Sequence, residues 1–364
     1  MKKLLLFLVA FMLLFAVDSY SQASFSTGAM DVTVGTYGKI QLFTPDGIQQ
    51  LYRTTILVGT SSTAVFDHEN DAEVVDPTVL VTFPLSSNFE IYGAYDNAYS
   101  GLPPAVLVKE NAYGWTNAAY TIVKYSIKNN ETAAINASVG LETIPYLNEE
   151  YGYDTVTYNS TEGVIRFHRG LQENMGIKLL SSSLSSLYSF EWYDGYQVDT
   201  DFWNWMNMAS LQPQYISATV DGPVSITSQS AVSIAPGQTF YVFYALALGA
   251  NEQTMLANIA SAKQKYELLT TSVKENPLAV NDFNNYPNPF KSSTTISYQL
   301  PAAGFVSLKV YDALGNEKAT IVNSKQSGGS YTVDFNAKDL SSGVYSYRLR
   351  FNDQVISNKM LLVK

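Results

Sequence analysis

The most informative chemical pattern in the chain is a short segment that mixes tryptophan with aspartate. Three of the four tryptophans lie within fourteen residues, and acidic residues stand among them. Flat aromatic rings can stack on sugar rings, and carboxylates accept hydrogen bonds from sugar hydroxyls. The candidate residues for binding a carbohydrate or a protein partner are Trp192, Tyr196, Asp199, Asp201, Trp203 and Trp205.

Two other interpretations of this segment stay open. The rings can form an apolar core at one end of the fold, because large aromatic side chains contribute much apolar burial. They can also form a protein interface, where Tyr and Trp are frequent because each has an apolar body and a polar tip. We favour packing, followed by sugar binding and then a protein interface.

Enzymatic cleavage of a glycan would need two carboxylates on either side of the glycosidic bond. Glu149 with Glu150, and Asp199 with Asp201, are the available pairs. Adjacent acids in loops are usually solvated, and their spacing does not place them across a cleft. We therefore favour a non-enzymatic binding or surface-structural module. A carbohydrate-active enzyme with an aromatic-acidic cleft is the alternative.

The composition argues against nucleophilic hydrolases. The chain has no cysteine, two histidines (His68 and His168) and no Gly-x-Ser-x-Gly turn. Disulfides, catalytic thiolates and thiolate-bound metals are therefore excluded. We assign no catalytic residue and predict no cofactor.

An acidic stretch raises the question of a calcium site. Asp67, Glu69, Asp71 and Glu73 place carboxylates at every second position. Calcium takes about six to eight oxygen ligands, and the stretch lacks the glycine of an EF-hand loop. We favour a solvated face over a metal site and predict no bound metal.

These residues are expected to be carried by an all-β body. Up to residue 250 the chain has about fourteen short runs rich in β-branched and aromatic residues, separated by turn residues. They predict one large antiparallel β-sandwich or a supersandwich. Asn129 and Asn130 predict a hairpin between residues 121–127 and 133–139. An apolar helical period after Asn251 predicts a closing helix over residues 252–269.

The end of the chain has a different pattern. From residue 286 to 364, apolar and polar residues alternate in short runs separated by glycine, asparagine and aspartate turns. This period of two predicts about six or seven strands with one buried face, which is typical of an immunoglobulin-like β-sandwich.

Four short motifs follow one another in this tail. Their residues are Pro287, Asn288 and Pro289 at the opening, Asp312 and Gly315, then Gly343 and Tyr345, and finally Lys359, Met360 and Lys364. Through them, residues 283–364 resemble the C-terminal sorting domain (type A) of the type IX secretion system of Bacteroidetes-type bacteria. The body resembles other cargo of that system only loosely, and this resemblance implies no activity.

The resemblance implies a route and partners. The type IX machinery would carry the protein from the periplasm across the outer membrane to the cell surface or the extracellular space. Its sortase would usually remove the sorting domain and attach the body to surface lipopolysaccharide. Polysaccharide or a surface protein is the expected partner of the body.

The beginning of the chain agrees with export. Lys2 and Lys3 precede a run of fourteen apolar residues, which is too short for a membrane span and typical of a signal peptide. We predict a signal peptide over residues 1–21 and no transmembrane segment after its removal. The remaining predicted parts are the body at 22–270, a linker at 271–285 and the sorting domain at 286–364.

Charge separates the two predicted domains. Residues 22–285 contain 11 Lys and Arg against 26 Asp and Glu, a net charge of −15, whereas residues 286–364 contain 9 against 5, a net charge of +4. An acidic body lacks the clustered cations that phosphate binding needs, so we exclude nucleic acid as a partner.

Overall fold

The computed structural model describes residues 22–82, 84, 86–170, 173–273, 281–300, 303–312, 315–351 and 354–364. These residues form two compact units that divide between Lys263 and Gln264. The predicted signal peptide at 1–21 and residues 274–280 of the predicted linker lie outside the described residues. The predicted domain limits at 270 and 286 stay a prediction.

The described residues of the body include eighteen strands. They are β1 (Ala23–Ser26), β2 (Asp31–Val34), β3 (Ile40–Phe43), β4 (Gln49–Ser61), β5 (Ala64–Phe66), β6 (Glu73–Leu80), β7 (Phe89–Asp96), β8 (Val106–Gly114), β9 (Tyr120–Asn129), β10 (Ile135–Pro145), β11 (Thr155–Asn159), β12 (Val164–His168), β13 (Asn174–Leu179), β14 (Leu184–Glu191), β15 (Gln214–Ile216), β16 (Pro223–Gln229), β17 (Val232–Ile234) and β18 (Thr239–Gly249).

These strands form two antiparallel sheets of nine strands each. The first has the order β1-β2-β3-β4-β10-β16-β14, with β5 beside β4 and β17 beside β10. The second has the order β15-β11-β12-β13-β18-β9-β8-β7-β6. Leu42 and Ile56 from the first sheet share one apolar core with Val108 and Tyr125 from the second. The predicted all-β sandwich is confirmed.

The predicted hairpin at Asn129 is wrong. β9 pairs with β8 and β18 in the second sheet, whereas β10 pairs with β4, β16 and β17 in the first. Asn129 is fully buried, and its side-chain nitrogen donates to the carbonyl oxygens of Ala133 at 2.9 Å and Ile234 at 2.8 Å. These bonds hold a corner at which the chain passes from one sheet to the other.

Two α-helices accompany the body strands: α1 (Asp199–Met206) and α2 (Glu252–Val273). The predicted helix at 252–269 corresponds to α2. The side-chain oxygen of Asn251 accepts a hydrogen bond from the Thr254 amide at 2.9 Å, as expected of a capping residue. Met255, Ile259 and Ala262 form its buried stripe. The sequence pattern did not predict α1.

The tail unit has seven strands in two antiparallel sheets. They are β19 (Asn281–Tyr286), β20 (Ser293–Leu300), β21 (Gly304–Tyr311), β22 (Glu317–Gln326), β23 (Gly329–Asn336), β24 (Gly343–Phe351) and β25 (Gln354–Leu362). One sheet has the order β19-β20-β23 and the other β22-β21-β24-β25. Their inward residues form a core of their own that includes Ile296, Leu308 and Leu349.

The opening motif of the tail is joined to its closing strand. The side chain of Asn288 accepts a hydrogen bond from the Leu361 amide at 2.8 Å and donates to the Lys359 carbonyl at 3.1 Å. Pro287 and Pro289, on either side, are exposed. The first and last sorting motifs are therefore adjacent in space although they are about seventy residues apart.

The other motif residues occupy turns and core positions of the tail. The side-chain oxygen of Asp312 accepts from the Asn316 amide at 2.9 Å, which closes the turn that contains Gly315. Tyr345 and Met360 face each other across β24 and β25 and are buried. Two motif residues lie at element ends: Gly343 begins β24, and the Lys364 amide donates to the Ser342 hydroxyl at 3.0 Å.

A buried acid lies in the apolar core of the body. Glu110 is buried on β8 and accepts a hydrogen bond from the Tyr95 hydroxyl at 3.2 Å. A turn covers both groups at Gly38, where an added Cβ would lie 2.1 Å from the Glu110 carboxylate and φ is +74°. Burial raises the pKa of Glu110 to about 8, so this side chain is protonated in the folded protein near neutral pH.

The Glu110→Gln substitution should change how stability depends on pH. The pKa of Glu110 is raised on folding, so its stabilising contribution is complete below the unfolded pKa of about 4.3 and is lost as pH rises through about 8. Between these values the wild type should lose up to about 1.4 kcal/mol of unfolding free energy per pH unit relative to the variant. Urea unfolding at several pH values measures this, with exposed Glu162→Gln as control. Parallel curves for wild type and Glu110→Gln would contradict it.

The Asn288→Ala substitution should loosen the closing strand of the tail. It removes two hydrogen bonds that together contribute about 1–2 kcal/mol. Amide hydrogen exchange at Leu361 should therefore become roughly tenfold faster. Asn323→Ala, on the exposed side of β22, is the matched control. Unchanged exchange at Leu361 would mean that Asn288 does not hold β25.

Candidate binding site

The predicted aromatic-acidic segment folds around a short helix. Asp199 and Asp201 lie in the first turn of α1, where carboxylates interact favourably with the helix dipole. Phe202 and Met206 face inward and are buried. The acids therefore have a local structural role at the beginning of the helix.

Two of the predicted tryptophans pack against the first sheet. Trp205 stacks on Phe190 with ring centroids 4.3 Å apart, and on Tyr188 at 6.2 Å. Trp203 lies close to β4, where an added Cβ at Gly59 would be 3.2 Å from its ring. Both tryptophans are half-buried against a second apolar cluster of the body. The packing interpretation fits these two rings.

Tyr196 belongs to a buried polar network. It is 0% exposed, and its hydroxyl donates to the Glu142 carboxylate. Arg53 binds the same carboxylate through two contacts, Nε to Oε2 at 2.9 Å and Nη2 to Oε1 at 3.2 Å. Nη2 also donates to the Tyr196 hydroxyl at 3.1 Å. These three side chains bring together β4, β10 and the segment before α1.

The charges in this network stabilise each other. Burial alone would raise the pKa of Glu142, but the guanidinium of Arg53 and the hydrogen bonds to the carboxylate hold it below its usual range. The pKa of Arg53 is raised because attraction by Glu142 outweighs its burial. The pair is therefore ionised in the folded protein.

A surface pocket opens beside this network. Its volume is about 320 Å³, and its lining residues are Tyr52, Arg53, Ile144, Tyr151, Trp192, Val220 and Asp221. Tyr151 and Trp192 are each 39% exposed, so their rings are available to a ligand. The Tyr151 ring is held by Tyr146, with centroids 4.3 Å apart, and by the edge of Tyr52 at 5.6 Å.

Two loops that touch through glycines shape the pocket. An added Cβ at Gly152 would lie 2.2 Å from the Thr219 carbonyl, and one at Gly222 would lie 2.7 Å from the Gly152 amide. Both glycines have positive φ, +78° and +82°. The Trp192 amide donates to the Gly222 carbonyl at 2.9 Å. Because only glycine allows this close approach, the loop of Tyr151 is fixed against the loop of Val220 and Asp221. The backbone of Trp192 is bound to that second loop.

The structure brings only part of the predicted set to this pocket. Trp192 lines it, and Tyr196 lies behind Arg53 without lining it. Four predicted residues lie on α1 and are not among the lining residues: Asp199, Asp201, Trp203 and Trp205. Of the predicted acid pair, Glu150 binds Arg169 at 2.6 Å, and Glu149 is exposed.

The sequence analysis missed most of the pocket. Tyr52, Arg53, Tyr151 and Asp221 come from three distant segments, so no local pattern groups them. One signal was available: Arg53 is one of only three arginines between residues 22 and 285, and it lies in a run of apolar and β-branched residues that is typical of a strand. A cation at such a position needs a buried partner, so it marks a polar network.

The acidic stretch differs from the predicted solvated face. Asp67 and Asp71 are buried, whereas Glu69 and Glu73 are exposed. The Asp67 carboxylate accepts from the amides of Glu69 and Asn70, each at 2.8 Å, which closes a turn. Burial raises its pKa to about 6. Among the described residues, no group of three or more acids and histidines is placed to hold a metal ion.

The chain is thus a β-sandwich body with a surface pocket, joined in sequence to a separate all-β tail. Residues 284–364 match the family of secretion system C-terminal sorting domains. The resemblance of the tail to that family is confirmed, and a type IX sorting tail directs export to the cell surface or the extracellular space. No helix within the described ranges is both long and apolar enough to span a membrane. No curated protein matches the chain.

Several solved structures resemble the chain weakly. A bacterial glucoamylase complexed with acarbose has 11% identity and a TM-score of 0.49, over 67% of this chain and 34% of that chain. The heparan sulfate lyase HepC from Pedobacter heparinus has 9% identity and a TM-score of 0.37, over 95% and 42%. A putative aldose 1-epimerase from Escherichia coli K12 has 8% identity and a TM-score of 0.38, over 63% and 99%.

The chain spans about a third of the glucoamylase and less than half of the lyase. Similarity at this level carries no functional information.

Removing one partner of the buried Arg53–Glu142 pair should destabilise the protein. Glu142→Gln leaves the Arg53 charge uncompensated and should lower the unfolding free energy by about 3–5 kcal/mol. The double variant Arg53→Met, Glu142→Met should cost less than the single one, because it removes both charges. Urea unfolding measures both. The control is Glu150→Gln, which removes an exposed partner of Arg169 while Asp154 remains, and should cost less than about 1 kcal/mol. A double variant less stable than Glu142→Gln would contradict this account.

Proposed function

We propose that the exported body is a non-enzymatic binding module displayed at the cell surface, and that it binds carbohydrate. The observation that carries the proposal is the pocket between Tyr151 and Trp192, with Arg53 and Asp221 among its lining residues. Ligand sites typically combine apolar and aromatic walls with a few fixed polar groups. This pocket has that composition.

The chemistry of the walls suits a sugar. The exposed rings of Tyr151 and Trp192 offer flat faces to the C–H side of a sugar ring. Arg53 can only donate hydrogen bonds and Asp221 can only accept them, while a sugar hydroxyl does both. The glycine contacts between the loops hold the two rings in place before a ligand arrives, which reduces the entropy cost of binding.

The acids near the pocket support binding without cleavage. Glycoside hydrolysis uses two carboxylates that face each other across the sugar. Asp221 is the one carboxylate among the lining residues, and Glu142 is buried and bound to Arg53 and Tyr196. A carbohydrate-active enzyme is therefore the less supported alternative.

Processing of the chain belongs to the same proposal. Signal peptide 1–21 is removed, and the type IX machinery exports a body at 22–270, a linker at 271–285 and a sorting domain at 286–364. The sortase then removes the sorting domain and leaves the body on surface lipopolysaccharide. The sorting family of residues 284–364 supports this route.

The Trp192→Ala substitution tests the proposed site. Loss of a large aromatic side chain at a binding site typically costs more than about 1 kcal/mol, so affinity for a bound glycan should fall about tenfold. The measurement is a pull-down of the purified protein on soluble and insoluble polysaccharides, followed by calorimetry on those that bind. Tyr99→Ala removes an aromatic ring that is 70% exposed and does not line the pocket, and should leave affinity unchanged.

Three results would contradict the proposal. Absence of binding to every polysaccharide would remove carbohydrate as the ligand. Equal affinity of wild type and a folded Trp192→Ala variant would remove this pocket as the site. Release of shorter glycans during the incubation would make the enzyme alternative correct.

A further inference from the structure

The cations around the pocket already have anionic or aromatic partners. Arg53 uses Nε and Nη2 to bind Glu142, and Nη2 also lies 3.5 Å from the carboxylate of Glu69. Within the described residues its Nη1 makes no hydrogen bond, so the guanidinium still has N–H donors to offer a ligand. Its positive charge, however, is compensated by the Glu142 carboxylate.

The second cation near the pocket is also engaged. The amino group of Lys39 lies 4.2 Å from the ring centroid of Tyr52, a cation–π distance. Asp221 is exposed at the pocket and has no cationic partner in the described part of the chain. A third cation, Arg169, donates to the Gly152 carbonyl and is paired with Glu150 and Asp154. Each cation near the pocket is therefore already engaged, whereas the carboxylate of Asp221 is unpaired within the described residues.

A negatively charged ligand would be disfavoured by this arrangement. Its charge would lose water without gaining an uncompensated cation, and it would come close to Asp221. The net charge of −15 over residues 22–285 adds a repulsive field at longer range. An uncharged hydroxyl has neither cost, because it accepts from Arg53 and donates to Asp221.

A positively charged ligand is also poorly matched. The guanidinium of Arg53 lines the pocket, and a cation has no acceptor for its N–H donors. Tyr52, one of three aromatic residues that a cation could approach, already has Lys39 over its ring. An uncharged ring with several hydroxyl groups fits both the polar groups and the aromatic walls.

We propose that the pocket selects uncharged sugar residues and rejects the corresponding uronic acids. The inference rests on the proposed carbohydrate-binding function and specifies its ligand class. Asp221 is the residue that enforces the selection, since its carboxylate is the exposed charge at the pocket.

The test compares sugars that differ only in charge. Calorimetry is performed on the purified protein with matched hexasaccharides of mannose and mannuronate, galactose and galacturonate, and glucose and glucuronate. In each pair the neutral C6 hydroxymethyl group is replaced by a carboxylate. The neutral member of the pair that binds should bind at least tenfold more tightly. Its affinity should be nearly independent of salt, whereas any uronate binding should strengthen with salt because the repulsion is screened.

The Asp221→Asn variant tests whether Asp221 causes the preference for the neutral sugar. It keeps the shape of the side chain and removes the charge, so the preference for the neutral member should shrink by at least threefold. Glu162→Gln removes an exposed carboxylate that does not line the pocket and should leave the preference unchanged.

The outcomes separate this inference from the proposed function. A uronate that binds as tightly as its neutral counterpart, or more tightly, would overturn the charge selection. If Trp192→Ala also abolishes that binding, the carbohydrate site is retained. Unchanged preference in Asp221→Asn would remove Asp221 as the selecting residue. If none of the six sugars binds, or if tetramethylammonium binds instead of them, the proposed function and this inference are both overturned.

Discussion

Arg53 and Glu142 are removed from water together, and the proposed site depends on that pairing. They lie on neighbouring strands of the first sheet as diagonal neighbours, since Arg53 is opposite Ile144 and Glu142 is opposite Thr55. Two buried charges are tolerable only when their geometry is good and their other hydrogen bonds are satisfied. Tyr196 contacts both groups, and the Thr55 hydroxyl donates to the Glu142 carboxylate at 3.3 Å.

This network also determines where the aromatic segment lies. Tyr196 stands between Trp192 and α1, so its attachment to Glu142 fixes both neighbours against the first sheet. On one side Trp192 reaches the pocket, and on the other Trp205 packs on Phe190. The buried contact between Tyr196 and Glu142 thus lies between the packed ring of Trp205 and the exposed ring of Trp192.

The tail has a separate organisation that serves export. Its family signature consists of residues that hold a small sandwich together: Asn288 joins the opening to β25, and Tyr345 faces Met360 in the core. Motifs that are scattered along the sequence are therefore parts of one folded unit. The body has its own core and its own polar network, so the proposed ligand pocket and the sorting motifs consist of different residues.

Local patterns predicted those parts of the protein that local physics determines. The period of two identified the tail strands, and Asn251 with the apolar stripe after it identified α2. Partnerships between distant residues were not predictable in this way. Asn129 looked like a hairpin turn because its role at the sheet crossover depends on Ile234, and Asp67 looked solvated because its burial depends on the surrounding fold. Arg53 and Glu142 are 89 residues apart, so no sequence window contains both.

The eight-residue helix α1 was missed for a related reason. Isolated helices of this length are marginal in water, and here Phe202 and Met206 gain stability only from contact with the sheet. The aromatic segment was therefore recognised as a unit, although only Trp192 lines the pocket and Tyr196 supports it from behind.

The most direct test of the account is a crystal structure of the protein with a bound neutral hexasaccharide. The account predicts a sugar ring against Trp192 and Tyr151, with hydroxyl groups within hydrogen-bonding distance of Arg53 and Asp221. A sugar bound at Trp203 and Trp205 on α1, or at any surface away from this pocket, would contradict it.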